Sequence, residues 1–345
     1  MNKQIQKIVE DFDFNNIHHD TNHDDLLLSQ YYDNLFEKII YTNDVLTNEE
    51  KKMFSLNIEN DYKFKYKVDT REKLRNIVKK LNAMDLNWLD VSSVTSFKYL
   101  FDSMTFTGDI SKWDTSNVKS MNSIFNNSVF DGDISKWDTH EVKDMELAFA
   151  DSTFTGDISK WDMSKVNDMS GTFMNAKFNG DISNWDTSSV LYMCSMFNKS
   201  KFTGDISKWD THNVTNMTNM FNGSIFNGDI SNWDVSSVVY FDTMFANSTF
   251  NGDISKWNTK SCETCSGMFE GSMFNGNLEN WNMSKCESTY AMFSNTQFNG
   301  DISKWDVSNV KTMAHMFDSC YEFNCDISNW DVSRVEDMEK MFFNS

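Results

Sequence analysis

The sequence predicts an α/β repeat solenoid, with a short parallel strand and a short helical turn in each 24-residue coil, behind a mainly helical N-terminal cap. Three observations carry this reading. Ten tryptophans (Trp113, Trp137, Trp161, Trp185, Trp209, Trp233, Trp257, Trp281, Trp305 and Trp330) recur every 24 residues, with a single 25-residue step before the last. A fixed period of about 20–50 residues marks one structural unit stacked on copies of itself. The segment FTGDISKWDTSNVKSMNSIF (Phe106–Phe125) returns around each tryptophan, whereas residues 1–84 lack the period.

The elements follow in chain order. Asn22–Tyr41 carries apolar residues at helical spacing (Leu26, Leu27, Tyr31, Leu35, Ile39), and Thr47 with Glu50 resembles a capping box opening a second helix. Tyr62–Val68 alternates aromatic residues and lysines, the pattern of a half-buried strand. Asp69 or Thr70 opens a helix running to about Met84, whose stripe Leu74, Ile77, Val78, Leu81 has complete i, i+3, i+4, i+7 spacing. This helix is expected to cover the first coil, because a solenoid's terminal face is otherwise apolar and wet. The first coil, Asp85–Phe101, aligns when Leu89 rather than Trp88 takes the tryptophan slot. The chain therefore divides into a cap or adaptor, 1–84, and a solenoid of about eleven coils, 85–345.

Within a coil the apolar positions are Ile110, Trp113, Thr115, Val118, Met121, Ile124 and Phe125, then Phe130. The spacing Ile-x-x-Trp-x-Thr is leucine-rich-repeat-like. The period-2 pair Trp113/Thr115 predicts a strand over Lys112–Ser116, and Val118, Met121 and Phe125 predict a helical turn capped by Ser116. Gly108 and its copies are expected to supply a positive φ at a corner. Methionines and aromatics at a fixed 24-residue recurrence read as stacked core, not as a cofactor box.

Net charge is −20, and it is uneven: residues 1–85 hold 13 Lys/Arg against 16 Asp/Glu, residues 86–345 hold 18 against 35. Such an array repels phosphate backbones and anionic lipid surfaces, so the expectation is no nucleic acid and no membrane partner. A basic protein surface or cations are the natural counterparts. No stretch approaches the roughly 20 apolar residues of a membrane span. The leading MNKQIQKIVEDFDFNN has neither the apolar core nor the cleavage site of a secretory signal, so cytoplasmic synthesis without export is expected.

Laid out in register, GDISKWDTSNVKSMNSIF (Gly108–Phe125) and NGDISNWDVSSVVYFDTMF (Asn227–Phe245) resemble the BspA-like leucine-rich repeat family, in the 24-residue version first noted in mycoplasma lipoproteins. The resemblance covers about Asp85 to Ser345, and the helix from Asp69 to Met84 looks like the lead-in helix of such arrays. It implies an elongated, non-catalytic surface or interaction protein, of a kind found in bacteria, protists, large viruses and bacteriophages. Surface members carry an export signal or lipid anchor, which this sequence does not show.

Two acidic rows are the candidate chemistry. One contains Asp109, Asp133, Asp157, Asp181 and Asp205 and continues to Asp326; the other contains Asp114, Asp138, Asp162 and Asp210 and continues to Asp331. Like charges at strand spacing repel, so something must offset them. Turn chemistry is the favoured answer, with carboxylates accepting backbone N–H bonds, and Ca²⁺ on the first row is the alternative. The outward positions Lys112, Asp114, Lys136, Asp138, Lys160, Asp162, Lys208 and Asp210 form the expected protein-binding face. Cys262 and Cys286 occupy the Val118 slot and Cys265 the Met121 slot, so Cys262-x-x-Cys265 reads as a core substitution rather than a zinc motif. Cys320 and Cys325 fall at the 25-residue irregularity, where a disulfide is conceivable; His18, His19 and His23 cluster near acids but read as polar linker. No nucleophile–base set, phosphate loop or paired-carboxylate motif stands above the repeated Asp and Ser. The resulting expectation is a non-enzymatic scaffold without cofactor that binds protein, favoured as a component of a phage or large-virus particle, with a bacterial surface adhesin as the alternative.

Overall fold

The computed structural model describes residues 65–345 together with Gln30, Asp33 and Asn34. The capping box at Thr47 and Glu50, the histidine cluster and, apart from those three residues, the helix expected over Asn22–Tyr41 lie outside the described residues. From residue 85 onward the chain is a solenoid with the tryptophan period. Bridges join Ser96 to Ser120, Ser120 to Asp144, and so on through Thr312 to Asp337, each pairing a residue with its counterpart one coil later.

The strand and the helical turn of the coil are both corrected. Residues Lys112–Ser116 form no strand, and Val118–Phe125 form no helix. Each coil is instead a chain of four tight turns, closed by Trp113 N to Ile110 O, Val118 N to Thr115 O, Ile124 N to Met121 O and Ser128 N to Phe125 O. The first and fourth residues of each turn point inward, which produces the spacings of three and four that a helix also produces. In the last two turns the third residue has positive φ, Ser123 at 53° and Asn127 at 49°, as a type II turn requires. The same two positions are left-handed in all eleven coils, and only Gly171, Gly223, Gly267 and Gly271 among them are glycine.

The glycines expected at the corner have another purpose. Gly108, Gly132 and Gly156 are not left-handed; a Cβ on Gly156 would lie 2.7 Å from the Phe154 ring. Glycine is needed there because the ring two residues earlier folds over its backbone. Ser116 is likewise not the cap: its amide and hydroxyl both donate to the Asp114 carboxylate, at 3.1 and 2.7 Å.

Coils are joined by a backbone ladder whose bonds run mostly forward, with return bonds such as Lys119 N to Thr95 O at 2.8 Å. The amides of Met121, Ser123, Phe125 and Asn127 donate to the carbonyls of Asp144, Glu146, Ala148 and Ala150 in the next coil at 2.8–2.9 Å. Opposite the ladder the indoles form a buried column, with adjacent ring centroids 6.2–6.5 Å apart and planes within 12°. Each indole N–H donates to a carbonyl of the preceding coil, as Trp209 does to Ile182 O at 3.0 Å. Beside it runs a phenylalanine column at 5.2–5.8 Å. Where the slot holds threonine, the hydroxyl also ties coils together, as Thr115 Oγ1 does by donating to Asp138 O at 2.9 Å.

The cap extends this pattern by one layer. Strand β1 (Tyr66–Lys67) pairs in parallel with β2 (Leu89–Asp90), and Leu89 N donates to Leu86 O at 3.0 Å as Trp113 N does to Ile110 O, so Leu89 takes the tryptophan slot. Helix α1 (Arg71–Lys80) starts at Thr70, whose side chain accepts from the Lys73 amide, and buries Leu74, Ile77 and Val78 in the core shared with the coils. The ladder's polarity leaves the first coil's carbonyls facing the cap. Arg71 meets Lys98 O at 3.0 Å and Arg75 meets Asp102 O at 3.5 Å, so α1 supplies donors where a preceding coil would supply amides.

Candidate functional site

Both acidic rows are turn closers. Asp109, Asp133, Asp157, Asp181 and Asp205 each accept the amide two residues on, from Ser111 to Ser207, at 2.9 Å. In the second row Asp114, Asp138, Asp162 and Asp210 accept from Ser116, His140, Ser164 and His212 in the same way. The Ser135 amide beside Asp133 holds its carboxyl below the usual range, and the repulsion of Asp109 is too weak to reverse that. His140 and His212, each 2.6 Å from its aspartate, do the same for Asp138 and Asp210. Hydrogen bonds to the charged form therefore offset the like-charge stacking that the sequence alone left open.

Lys112, Asp114, Lys136, Asp138, Lys160, Asp162, Lys208 and Asp210 are all exposed, while Trp113 and Thr115 between them are buried. These lysines and aspartates thus share the turn edge. No inter-coil strand runs along that edge; the inter-coil ladder runs through residues 119–127 and their copies. The regular face is the ladder face, which the sequence reading missed because its outward residues vary from coil to coil.

That face carries two kinds of side chain. Tyr192, Tyr240 and Tyr290 stand on it 43, 42 and 47% exposed, with Leu191 beside the first. The same face holds Asp144, Glu146, Asp168, Asp242 and Glu263, together with Lys119, Lys143 and a Lys311–Glu287 ion pair at 2.7 Å. Ser120 Oγ and Asn122 Nδ2 hold Asp144 Oδ2 and Glu146 Oε2 at 3.0 and 2.7 Å, so the acids are positioned rather than free-swinging. Tyrosines set among fixed carboxylates suit a basic, partly apolar protein surface.

A groove of about 350 Å³ lies between the late coils, lined by Ser272, Met273, Asn295, Thr296, Gln297, Ser319 and Tyr321. The Tyr321 phenol is its one titratable group. Tyr321 belongs to the 25-residue coil, where an added turn from Cys320 to Phe323 takes up the extra residue and leaves Tyr321 72% exposed. Cys320 and Cys325 are both free thiols.

Three other thiols come together in the core. Among the described residues Cys262, Cys265 and Cys286 form the one group of three or more metal-ligating side chains with their ligand atoms all within 4.8 Å. Each occupies the core slot assigned from the sequence. What sequence order hid is that stacking brings Cys286 of the next coil beside the Cys-x-x-Cys pair. Hydrogen bonding among the three and burial push the Cys262 and Cys265 thiols well up, while the bonds that they donate pull the Cys286 thiol down.

Eleven stacked coils with an aromatic interior and a side-chain-supported turn at every corner define an elongated repeat protein. The profile of the family described as "Mycoplasma protein of unknown function, DUF285" matches residues 71–177, 143–225, 198–297 and 272–345, and the chain belongs to that family. No curated protein and no solved structure matches it.

Proposed function

We propose that the array is a non-enzymatic scaffold that docks a basic protein partner along its ladder face. The carrying observation is the set Tyr192, Tyr240, Tyr290 among positioned carboxylates, on the face where backbone bridges join successive coils. A stack of near-identical coils presents an extended surface without a catalytic cleft, and the groove by Tyr321 lacks an acid–base pair. The partner binds without nucleic acid, membrane or cofactor.

Proximity labelling in the native host tests this reading with two variants. The triple change Tyr192→Ser, Tyr240→Ser, Tyr290→Ser is expected to lose the partner recovered with the parent chain. Charge reversal at Lys112, Lys136 and Lys160 on the turn edge is expected to keep it. The reverse pattern assigns docking to the turn edge, and equal recovery by both variants refutes a solenoid-face scaffold.

The finer reading keeps the coil as a BspA-like form of leucine-rich repeat and places the protein in a phage or large-virus particle, synthesised in the cytosol. It is supported by the distribution of the similar repeats. Mass spectrometry of purified particles tests it, and absence of the chain from them removes it. The alternative, a surface adhesin, predicts cleavage of the chain by protease added to intact cells.

A further inference from the structure

We infer that Cys262, Cys265 and Cys286, with the Met292 thioether, form a buried all-sulfur site for a thiophilic d¹⁰ metal ion, Zn²⁺ or Cu⁺, that clips two adjacent coils together. Cys265 Sγ lies 3.7 Å from Cys286 Sγ and 3.6 Å from Met292 Sδ. Metal–sulfur bonds of about 2.3 Å in a tetrahedron place sulfurs about 3.8 Å apart, so these two contacts already stand at ligand spacing, and the three thiol sulfurs all lie within 4.8 Å of one another. Thiolate and thioether donors select soft ions of this class, and the absence of a carboxylate among the four donors disfavours Ca²⁺ and Mg²⁺.

Packing alone does not account for the cluster. The slot of Cys262 and Cys286 holds valine in every other coil, from Val94 to Val335. The Cys265 slot is otherwise phenylalanine, methionine or, once, threonine. Three of the chain's six cysteines depart from the repeat in adjacent coils and in mutual contact. A lone thiol fills an aliphatic slot adequately, but a coordinated triple change in one contact is what a ligand set requires. Each ligating thiol gives its proton to solvent as its sulfur–metal bond forms, and no electron changes hands. Zn²⁺ on three thiolates leaves one negative charge in the core, and Cu⁺ leaves two. This assignment stands apart from the docking proposal, since the site is internal.

The test uses the full chain, reduced and handled without oxygen, titrated separately with Zn²⁺ and with Cu⁺. A single metal per chain is expected, measured by native mass spectrometry, and the Cu⁺ arm adds a thiolate-to-metal charge-transfer band in the ultraviolet. Uptake of Zn²⁺ alone or Cu⁺ alone identifies the ion, and either supports the site. The variants Cys262→Val and Cys286→Val restore the residue of the other coils, so they are expected to fold, as circular dichroism will show, and to lose the metal. Binding also raises the thermal midpoint of the parent chain but not of the variants. Uptake of neither ion, or equal uptake by the valine variants, overturns the inference. So does a Cys265–Cys286 disulfide in the native protein whose reduction confers no metal binding.

Discussion

Trp209 sits at the middle of the stack, and replacing it with phenylalanine isolates what one indole contributes. The side chain is 3% exposed, with rings of Trp185 and Trp233 on either side at 6.5 Å. The change removes the donor to Ile182 O. That carbonyl keeps the Trp185 amide at 3.2 Å, so it is not left unpaired, and the lost bond costs about 0.5–1.5 kcal/mol net. The missing pyrrole edge leaves a gap that the inter-coil ladder prevents from closing, adding about 1–2 kcal/mol. The expected loss is thus about 1.5–3.5 kcal/mol, and Trp209→Ala should reach about 3–5 kcal/mol. Urea unfolding followed by tryptophan fluorescence and circular dichroism measures it. Because each coil touches only its neighbours, a weakened central junction should also broaden or split the transition, whereas Trp305→Phe near the end should not. A loss under about 0.5 kcal/mol, the range of surface substitutions, would refute the claim that indoles tie coils together.

Three further outcomes follow from the coil. Gly180→Ala puts a Cβ 2.9 Å from the buried Phe178 ring, which is stacked 4.4 Å from Phe173; a loss of about 1–3 kcal/mol in urea is expected, and none would mean the ring can yield. Ala291 is left-handed at φ 51°, so Ala291→Gly relieves a strain of about 1–2 kcal/mol and, after glycine's greater chain entropy, should raise stability by about 0.5–1 kcal/mol. Acid should destabilise the array: the donors of Ser135, Ser164 and Ser236 hold Asp133, Asp162 and Asp234 below their ordinary range. Carboxyls depressed on folding contribute stability above their unfolded value of about 3.9, and that contribution disappears as pH falls through the folded values. The urea midpoint should therefore hold down to about pH 4 and then drop; a rise instead would show that relief of the net negative charge outweighs the turns.

The period made the stack legible, and with it the buried indoles, the phenylalanine columns and the first-coil register with Leu89 in place of tryptophan. The backbone of the coil was not legible, because two consecutive four-residue turns place Met121 and Phe125 on one side as a helix would. The residues that bend them gave no cue: Leu147 and Thr243 are left-handed without belonging to the types that favour it. The corner glycines were read for their φ when the adjacent ring is what excludes a Cβ. The aspartates were legible as turn formers, since an Asx acceptor acts two residues away within one segment. The cysteine cluster was not, because its third member lies in another coil and only the stack brings it near. The ladder face was hidden by its own variability, which repeat alignment treats as noise.

The repeated ladder has a genetic corollary. Because forward and return bonds repeat at the same positions in successive coils, any interior coil can be removed or duplicated whole and its neighbours meet the same complementary groups. A deletion of 24 residues should shorten the array yet spare its cap, whereas a single-residue slip must be absorbed locally, as it is at Cys320–Phe323. The two ends are not interchangeable in this way: the guanidinium pair of α1 suits exposed carbonyls and would repel a row of amide hydrogens. Length is thus free to drift by recombination between like segments, while orientation is locked by chemistry at the cap.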